Sequence, residues 1–372
     1  MRDPSLTIGI EEEYQIVDPE SGELRSYITQ SLEEEYRVLR EFDFEPRVRQ
    51  SIIEIGTKVC RTPIEAGEEL VKIRQGVADL AAKNGLRILA AGTHPYYAPQ
   101  SQEAEPIHES LMGVKYDDRD LIQKKLTFST HVHITVEDRE FLIDAMNVSR
   151  YLLPHVLTLS TSSPFWMGQD TGLKSYRNLF LRNFPRTGIP RVFSSWADYT
   201  QLVDTLVRTH CILDGQNIWW DVRPNWSYPT IEFRICDVCT RVEEAICIAA
   251  IFQAIIAKLW KLRHDNMTFR VYPQDVIEEN KWRAVRYGLD GRLIDFGKQQ
   301  ELPARELIGE LISWFIDDVV DDLGSRDQVA YAYRIMEEGT SADRQLAIMK
   351  ETGDLKAVVS ELIKETNEVY GT

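Results

Sequence analysis

Carboxylates, histidines and arginines recur on the polar side of four β-like segments spread between Thr7 and Ile235 of this 372-residue chain. In Thr7-Ile8-Gly9-Ile10-Glu11-Glu12-Glu13-Tyr14-Gln15-Ile16, a period of two sends Ile8, Ile10, Tyr14 and Ile16 to one face and Glu11, Glu13 and Gln15 to the other. Ser51-Ile52-Ile53-Glu54-Ile55 opposes Glu54 to Ile53 and Ile55. Phe128-Ser129-Thr130-His131-Val132-His133-Ile134 opposes the two histidines to Phe128, Val132 and Ile134, and Thr230-Ile231-Glu232-Phe233-Arg234-Ile235 opposes Glu232 and Arg234 to Ile231, Phe233 and Ile235. A sheet carrying all four would pack its apolar side on helices. Its polar side would gather carboxylates that repel one another unless cations lie between them.

Glu11 and Glu13, at i and i+2 on a strand, stand about 7 Å apart along the chain, close enough for two neighbouring divalent ions to share them. Glu54, His131, His133 and Glu232 would close the coordination shells. Oxygen-rich ligands favour Mg²⁺ or Mn²⁺, and the imidazoles tilt toward Mn²⁺ or toward a histidine that only hydrogen-bonds a phosphate. Arg223, in Trp219-Trp220-Asp221-Val222-Arg223-Pro224, and Arg234 share the alternation and add positive charge to the same face. Metal ions with arginines describe phosphoryl transfer, where an enzyme chiefly positions groups and neutralises charge. Glu12 falls on the apolar side with Ile10 and Tyr14 and reads as a salt-bridged or rim residue outside the site. Neither G-x-x-x-x-G-K-[ST] nor G-x-G-x-x-G occurs, which excludes P-loop and Rossmann nucleotide sites.

Helices must back this sheet. Thr62-Pro63-Ile64-Glu65 combines an N-cap, a proline at the first helical position and a glutamate three residues on, a strong helix start whose apolar stripe runs through Leu70, Ile73, Val77, Leu80 and Ala81. Asn84-Gly85 ends it before a strand over 86–91. Further helices are expected over 31–41, 139–159, 196–213 behind a Ser195 cap, 242–262, 302–323, 327–338 and 355–369. The stretch 162–190, rich in Gly, Pro, Asn and Arg, is long for a plain connection and reads as a lid or binding loop.

Composition bounds the rest. At 43% hydrophobic content the chain can bury an ordinary core, and its net charge of −16 repels nucleic acid and anionic membrane. Five cysteines are too few and odd in number for a disulfide scaffold, which fits a reducing cytoplasm. The N-terminus has no apolar signal core, and the apolar stretch 245–260 reads as a buried helix because Gln253 and Lys258 interrupt it. Cys236-Asp237-Val238-Cys239 has half a zinc-site spacing without a second pair, and His108, His155, His210 and His264 show no partner pattern.

Taken together, Gly9-Ile10-Glu11-Glu12-Glu13-Tyr14-Gln15, Ile53-Glu54-Ile55, Gly92-Thr93-His94-Pro95, His131-Val132-His133, Trp220-Asp221-Val222-Arg223-Pro224, Thr230-Ile231-Glu232-Phe233-Arg234 and Arg286-Tyr287-Gly288-Leu289-Asp290-Gly291 resemble a family. It is the carboxylate–amine ligases grouped with the second type of glutamate–cysteine ligase, within the glutamine synthetase-like superfamily, and the similarity runs over nearly the whole chain. The resemblance implies an α+β fold with a curved, mainly antiparallel sheet, helices on one face and the active site on the other. It also implies a single catalytic domain over 1–372 with a helical C-terminal region from about 265. Carried over by position, it makes Glu11, Glu13, Glu54 and Glu232 metal ligands and His131 or His133 a ligand or phosphate contact. Arg223 and Arg234 become catalytic phosphate contacts, and His94, Tyr176, Arg177, Asn178 and Arg182 are assigned to the amino-acid substrate. The cofactors implied are ATP and Mg²⁺ or Mn²⁺; the partners are small-molecule amino acid and amine substrates, with a homodimer expected.

The implied reaction has two steps: a substrate carboxylate attacks the γ-phosphate of ATP, and an amine then attacks the acyl phosphate to form an amide. Two other chemistries compete. A metal-dependent hydrolase could use His131 and His133, and a guanidino-kinase-like phosphotransferase would keep the fold but change the acceptor.

Overall fold

The computed structural model describes residues 3–25, 47–49, 52–97 and 126–368. The helix expected over 31–41 and His108 lie outside the described residues. Seven strands build one sheet: β1 (Ile8–Val17), β2 (Arg47–Arg49), β3 (Ile52–Gly56), β4 (Arg87–Leu89), β5 (Thr130–Thr135), β6 (Val222–Pro224) and β7 (Thr230–Phe233). Their order is β6-β7-β5-β1-β3-β2, with β4 pairing the far end of β1, and every ladder is antiparallel. The four chemistry-bearing segments therefore lie side by side, as alternation requires of a sheet with one apolar face. Register aligns Arg223 with Glu232 and Glu232 with His133, sets Glu11 opposite His131, and sets Glu13 opposite Glu54.

The polar face is itself covered at the far end of β1. Gln15, expected on the polar face, is fully buried and donates through Nε2 to the carbonyl of Ala91, two residues past β4, which pairs with that end of β1.

The apolar side of the sheet rests on α1 (Pro63–Lys83), which the Thr62 hydroxyl caps by accepting from Glu65 N at 3.2 Å. Arg139–Ser149 (α2) and Leu153–Leu159 (α3) replace the single helix expected over 139–159. Pro154 cannot donate to the preceding turn, so the chain re-enters a helix at Leu153 instead of continuing through. The expected lid segment holds α4 (Tyr176–Leu181) and short strands at Phe165–Trp166, Gln169–Asp170 and Thr187–Gly188, the last pairing in parallel with Trp219–Trp220. After it come α5 (Trp196–Arg208), capped by Ser195, and α6 (Val242–His264). Although long and apolar enough to cross a membrane, α6 is the core helix against which β7 packs: Phe252 stacks on Phe233 with ring centroids 4.0 Å apart.

The C-terminal region is less purely helical than expected. It contains α7 (Gln274–Tyr287), a hairpin of Arg292–Asp295 and Gln300–Pro303, and α8 (Ala304–Glu310), which a π turn over Leu311–Phe315 separates from α9 (Asp317–Val320). Then follow α10 (Arg326–Glu338), α11 (Ser341–Thr352) and α12 (Leu355–Asn367). From α12, Thr366 Oγ1 accepts from Ala90 N and Asn367 Nδ2 donates to Ile88 O, which covers the β4 end of the sheet.

Candidate functional site

Glu11 on β1, His133 on β5 and Glu232 on β7 converge, each offering a ligand atom within 4.8 Å of the others. Strand register accounts for the meeting, since adjacent strands bring same-face residues together across the ladder. Glu11 reaches both histidines: its Oε2 lies 3.3 Å from His131 Nδ1 and its Oε1 3.2 Å from His133 Nε2. The second approach is not aligned as a hydrogen bond, so His133 Nε2 is a buried nitrogen without a hydrogen-bond partner. Two carboxylates and an imidazole with an unspent nitrogen fit a hard divalent cation such as Mg²⁺ or Mn²⁺.

Charge is concentrated here. Glu232 is 1% exposed; burial alone would raise its pKa, but Arg223, Arg234 and His133 hold it well below the usual carboxylate range. Burial likewise opposes ionisation of Glu11, and His133 and His131 overcome it. His133 itself is lifted above its ordinary value because the carboxylates of Glu11 and Glu232 outweigh its burial. His131 goes the other way, pushed down to about 4 by burial and then by the Arg234 guanidinium.

Arg223 and Arg234, expected together as phosphate contacts, differ in what they hold. Arg223 grips Glu232 in a fork, Nε to Oε2 at 2.9 Å and Nη2 to Oε1 at 3.0 Å, while Nη1 donates to the carbonyls of Gln216 and Ile218. Its donors are mostly spent on Glu232 and these two carbonyls. Arg234 pairs with the same carboxylate but also lines the adjoining cavity.

That cavity, about 50 Å³, meets the cluster at Arg234 and is lined by Glu13, Ser129, Arg177, Asn178, Arg182, Trp219, Asp221, Arg234 and Lys281 among others. Glu13 Oε2 accepts from Ser129 N at 2.8 Å and Ser129 Oγ at 2.6 Å, and Ser129 Oγ lies 2.8 Å from His131 Nε2. This chain joins cavity to cluster. Glu54 stands directly opposite Glu13 on β3, outside the three-residue group.

The residues expected at the amino-acid substrate divide. Arg177, Asn178 and Arg182 line the cavity. Tyr176 does not, and stacks on Trp166 with centroids 5.3 Å apart. His94 is buried with both ring nitrogens engaged: Nε2 meets the Gly22 carbonyl at 2.8 Å and Nδ1 accepts from the amides of Tyr96 and Tyr97. The Gly-Thr-His-Pro turn is thus occupied in holding backbone. Thr93 donates to Phe165 O, and Gly92 is needed because a Cβ there would fall 2.8 Å from the carboxyl carbon of Asp237.

Asp237, which the cysteine spacing around it obscured, anchors the start of the expected lid. Its oxygens accept from Ser162 N, Ser163 Oγ and Ser175 Oγ, with Arg177 3.8 Å away. Cys236 and Cys239 flank it as buried free thiols, their pKa values raised by burial. Sequence reasoning also missed Lys281 and its partner Asp221, 2.6 Å apart in the cavity wall. Asp221 stood within a quoted motif, whereas Lys281 sits in a charged helix that reads as solvated.

Residues 7–361 match the sequence profile of glutamate–cysteine ligase family 2. A candidate glutamate–cysteine ligase 2 from Herpetosiphon aurantiacus is 53% identical over 372 residues, covering 99% of this chain and 96% of its own. One from Chloroflexus aurantiacus is 52% identical over 366 residues, covering 98% and 93%. Among solved structures, the glutamate–cysteine ligase of Francisella tularensis in complex with AMP superposes with a TM-score of 0.67 at 13% identity, covering all of this chain and 91% of the other. A bifunctional glutathione synthetase from Pasteurella multocida gives 0.68 at 14% identity, covering 97% of this chain and 52% of its own. The fold they share is glutamine synthetase-like.

Proposed function

Because the chain belongs to glutamate–cysteine ligase family 2, whose members are ATP-dependent carboxylate–amine ligases, we propose that its polar sheet face carries the phosphoryl transfer and the neighbouring cavity the acid substrate. Convergence of Glu11, His133 and Glu232 is the observation that carries this reading. These three would hold a Mg²⁺ or Mn²⁺ ion, which supplies charge neutralisation on phosphate oxygens. Glu13 and Glu54, opposed in register, would hold a second ion.

The chain's own groups then divide the work. Arg223 fixes Glu232 by its fork, so the carboxylate does not swing when a ligand arrives. Arg234 borders both the cluster and the cavity and takes up the charge that develops as the carboxylate oxygen bonds to the γ-phosphorus and ADP departs. The amine nitrogen next bonds to the acyl carbon, loses a proton, and phosphate leaves. His131, held neutral, donates through Nε2 to Ser129 Oγ, which donates in turn to Glu13 and so keeps that carboxylate in place. Glutamate is the acid and cysteine the amine that the family suggests. Action on small molecules in a reducing cytoplasm, as a homodimer, completes the proposal.

ADP release by purified protein, screened against a panel of carboxylates and amines, tests it. Release that requires both an acid and an amine is expected. Turnover without nucleotide would overturn the reading, and phosphate transfer without amide formation would move it to the phosphotransferase.

A further inference from the structure

Every acceptor position on the Glu232 carboxylate is taken. Arg223 Nε and Asn225 Nδ2 both donate to Oε2, at 2.9 and 3.1 Å, while Arg223 Nη2, at 3.0 Å, and Arg234 Nη1 both donate to Oε1. An ionised carboxylate has about four lone-pair positions, two on each oxygen. A divalent ion that takes Glu232 as a ligand must therefore displace one of these four bonds.

Two of the three donor groups are fastened. Arg223 makes two of the four bonds as a fork, and its Nη1 is held by the carbonyls of Gln216 and Ile218. Asn225 Oδ1 accepts from the amides of Ser227 and Tyr228 at 2.9 and 3.0 Å. A backbone N–H can only donate, so the Asn225 amide cannot be turned over and its Nδ2 stays aimed at Glu232. Gln216 Nε2 also donates to Ser227 Oγ at 2.6 Å, which ties the Asn225 turn to the one that holds Arg223.

Arg234 is held more loosely. Among the described residues its side-chain hydrogen bonds both leave from one nitrogen, Nη1, which donates to Glu232 Oε1 and, at 3.4 Å, to His131 Nδ1. Its side chain is 19% exposed against 10% for Arg223, and it lines the cavity. Withdrawal of this one group would free two acceptors together: Glu232 Oε1, and His131 Nδ1, which lies 3.3 Å from Glu11 Oε2. A carboxylate oxygen and an imidazole nitrogen are both ligand atoms for Mn²⁺.

We propose that the Arg234 guanidinium and the divalent cation compete for Glu232, so that metal entry drives Arg234 off Oε1 and toward the cavity it lines. The two cations cannot share the oxygen, because like charges so close repel one another. Arg234 thus becomes available to the transferring phosphoryl group only once the metal is seated, which sets an order of assembly. This rests on the ligase reading for its metal.

The test titrates Mn²⁺ alone into nucleotide-free protein and reads free Mn²⁺ by electron paramagnetic resonance, with ADP release followed in parallel. Arg234→Ala is expected to bind Mn²⁺ roughly 10- to 100-fold more tightly than the wild type, the weight of one charge-assisted hydrogen bond, while its ADP release falls. Adding Glu232→Gln should abolish that gain. In Arg234→Ala, ethylguanidinium replaces the atoms removed, and its addition should raise the apparent Kd for Mn²⁺ in proportion to its concentration, whereas potassium at equal ionic strength should not. Arg234→Met, which keeps the apolar stem, repeats the affinity comparison should the alanine variant fail to fold. A Kd in the variants equal to that of the wild type would overturn the proposal, as would an ethylguanidinium effect that levels off, since both cations would then be bound together. Either result beside normal turnover by the wild type leaves the ligase reading standing. Tighter Mn²⁺ binding and proportional competition in a protein that releases no ADP under any condition would sustain the exchange and sink the ligase reading instead.

Discussion

Glu12 and Glu11 are neighbours on one strand, and their surroundings are opposites. Behind the sheet, Glu12 is fully buried and every donor about it is matched. Arg74 Nη2 lies 2.8 Å from both carboxylate oxygens, Nε reaches Glu12 and the Tyr14 hydroxyl, and the remaining donors go to the carbonyls of Thr240 and Cys239. In front, Glu11 and Glu232 face two histidines and two arginines, and His133 still has a nitrogen unspent. The same residue type on alternate faces thus serves two ends. A closed network locks helix to sheet, while an open one keeps affinity for a ligand in reserve.

Breaking the closed side should give the largest effect. Arg74→Met strands the Glu12 carboxylate in the core and is expected to cost about 3–5 kcal/mol in urea unfolding. The paired change Glu12→Leu, Arg74→Met should recover most of that loss. Equal destabilisation by single and double variants would show that Arg74 matters for its packing and not for its charge.

The open side should behave in the reverse manner. Glu11→Gln or Glu232→Gln is expected to lower ADP release about 100- to 1000-fold while far-UV dichroism stays that of the wild type. Mg²⁺ or Mn²⁺ should raise the melting temperature of the wild type through binding to the native state, and this rise should vanish in either variant. A variant that keeps both turnover and the cation-induced rise would remove these residues from the ligand set.

Acid sharpens the contrast further. Burial pushes His94 down to about 4 from an ordinary 6.5, so the unfolded chain binds its proton first as pH falls. Stability from this residue is complete above pH 6.5 and is lost progressively down to about 4, on the order of 3 kcal/mol in all. His155, also held near 4 by burial, adds a loss over the same range. The difference between the stability–pH curves of the wild type and His94→Gln isolates the first. Parallel curves would show that the folded and unfolded states hold His94 alike.

Much of this was legible in advance, and the reasons differ by residue. Alternation in β1, β3, β5 and β7 named the cluster because a half-buried strand must separate its two faces. Thr62 and Pro63 marked α1 because capping is local chemistry. Strand order and register were not legible, since they depend on contacts between distant segments; with them went the knowledge that Glu11, His133 and Glu232 meet while Glu54 faces Glu13. Arg74 and Lys281 sit on helices where an isolated cation reads as solvent-facing, and only tertiary packing buries them. The two arginines looked equivalent by alternation; the carbonyls of Gln216 and Ile218, which occupy Arg223, come from a turn that no strand pattern shows.

Asp237 carries a mechanical consequence. Ser162, Ser163 and Ser175 are all pinned to one carboxylate, and Gly92 leaves no slack beside it. Both ends of the stretch from Ser162 to Ser175 thus share one fastening, while across the cavity Arg182 holds Glu278 in a pair of its own at the surface.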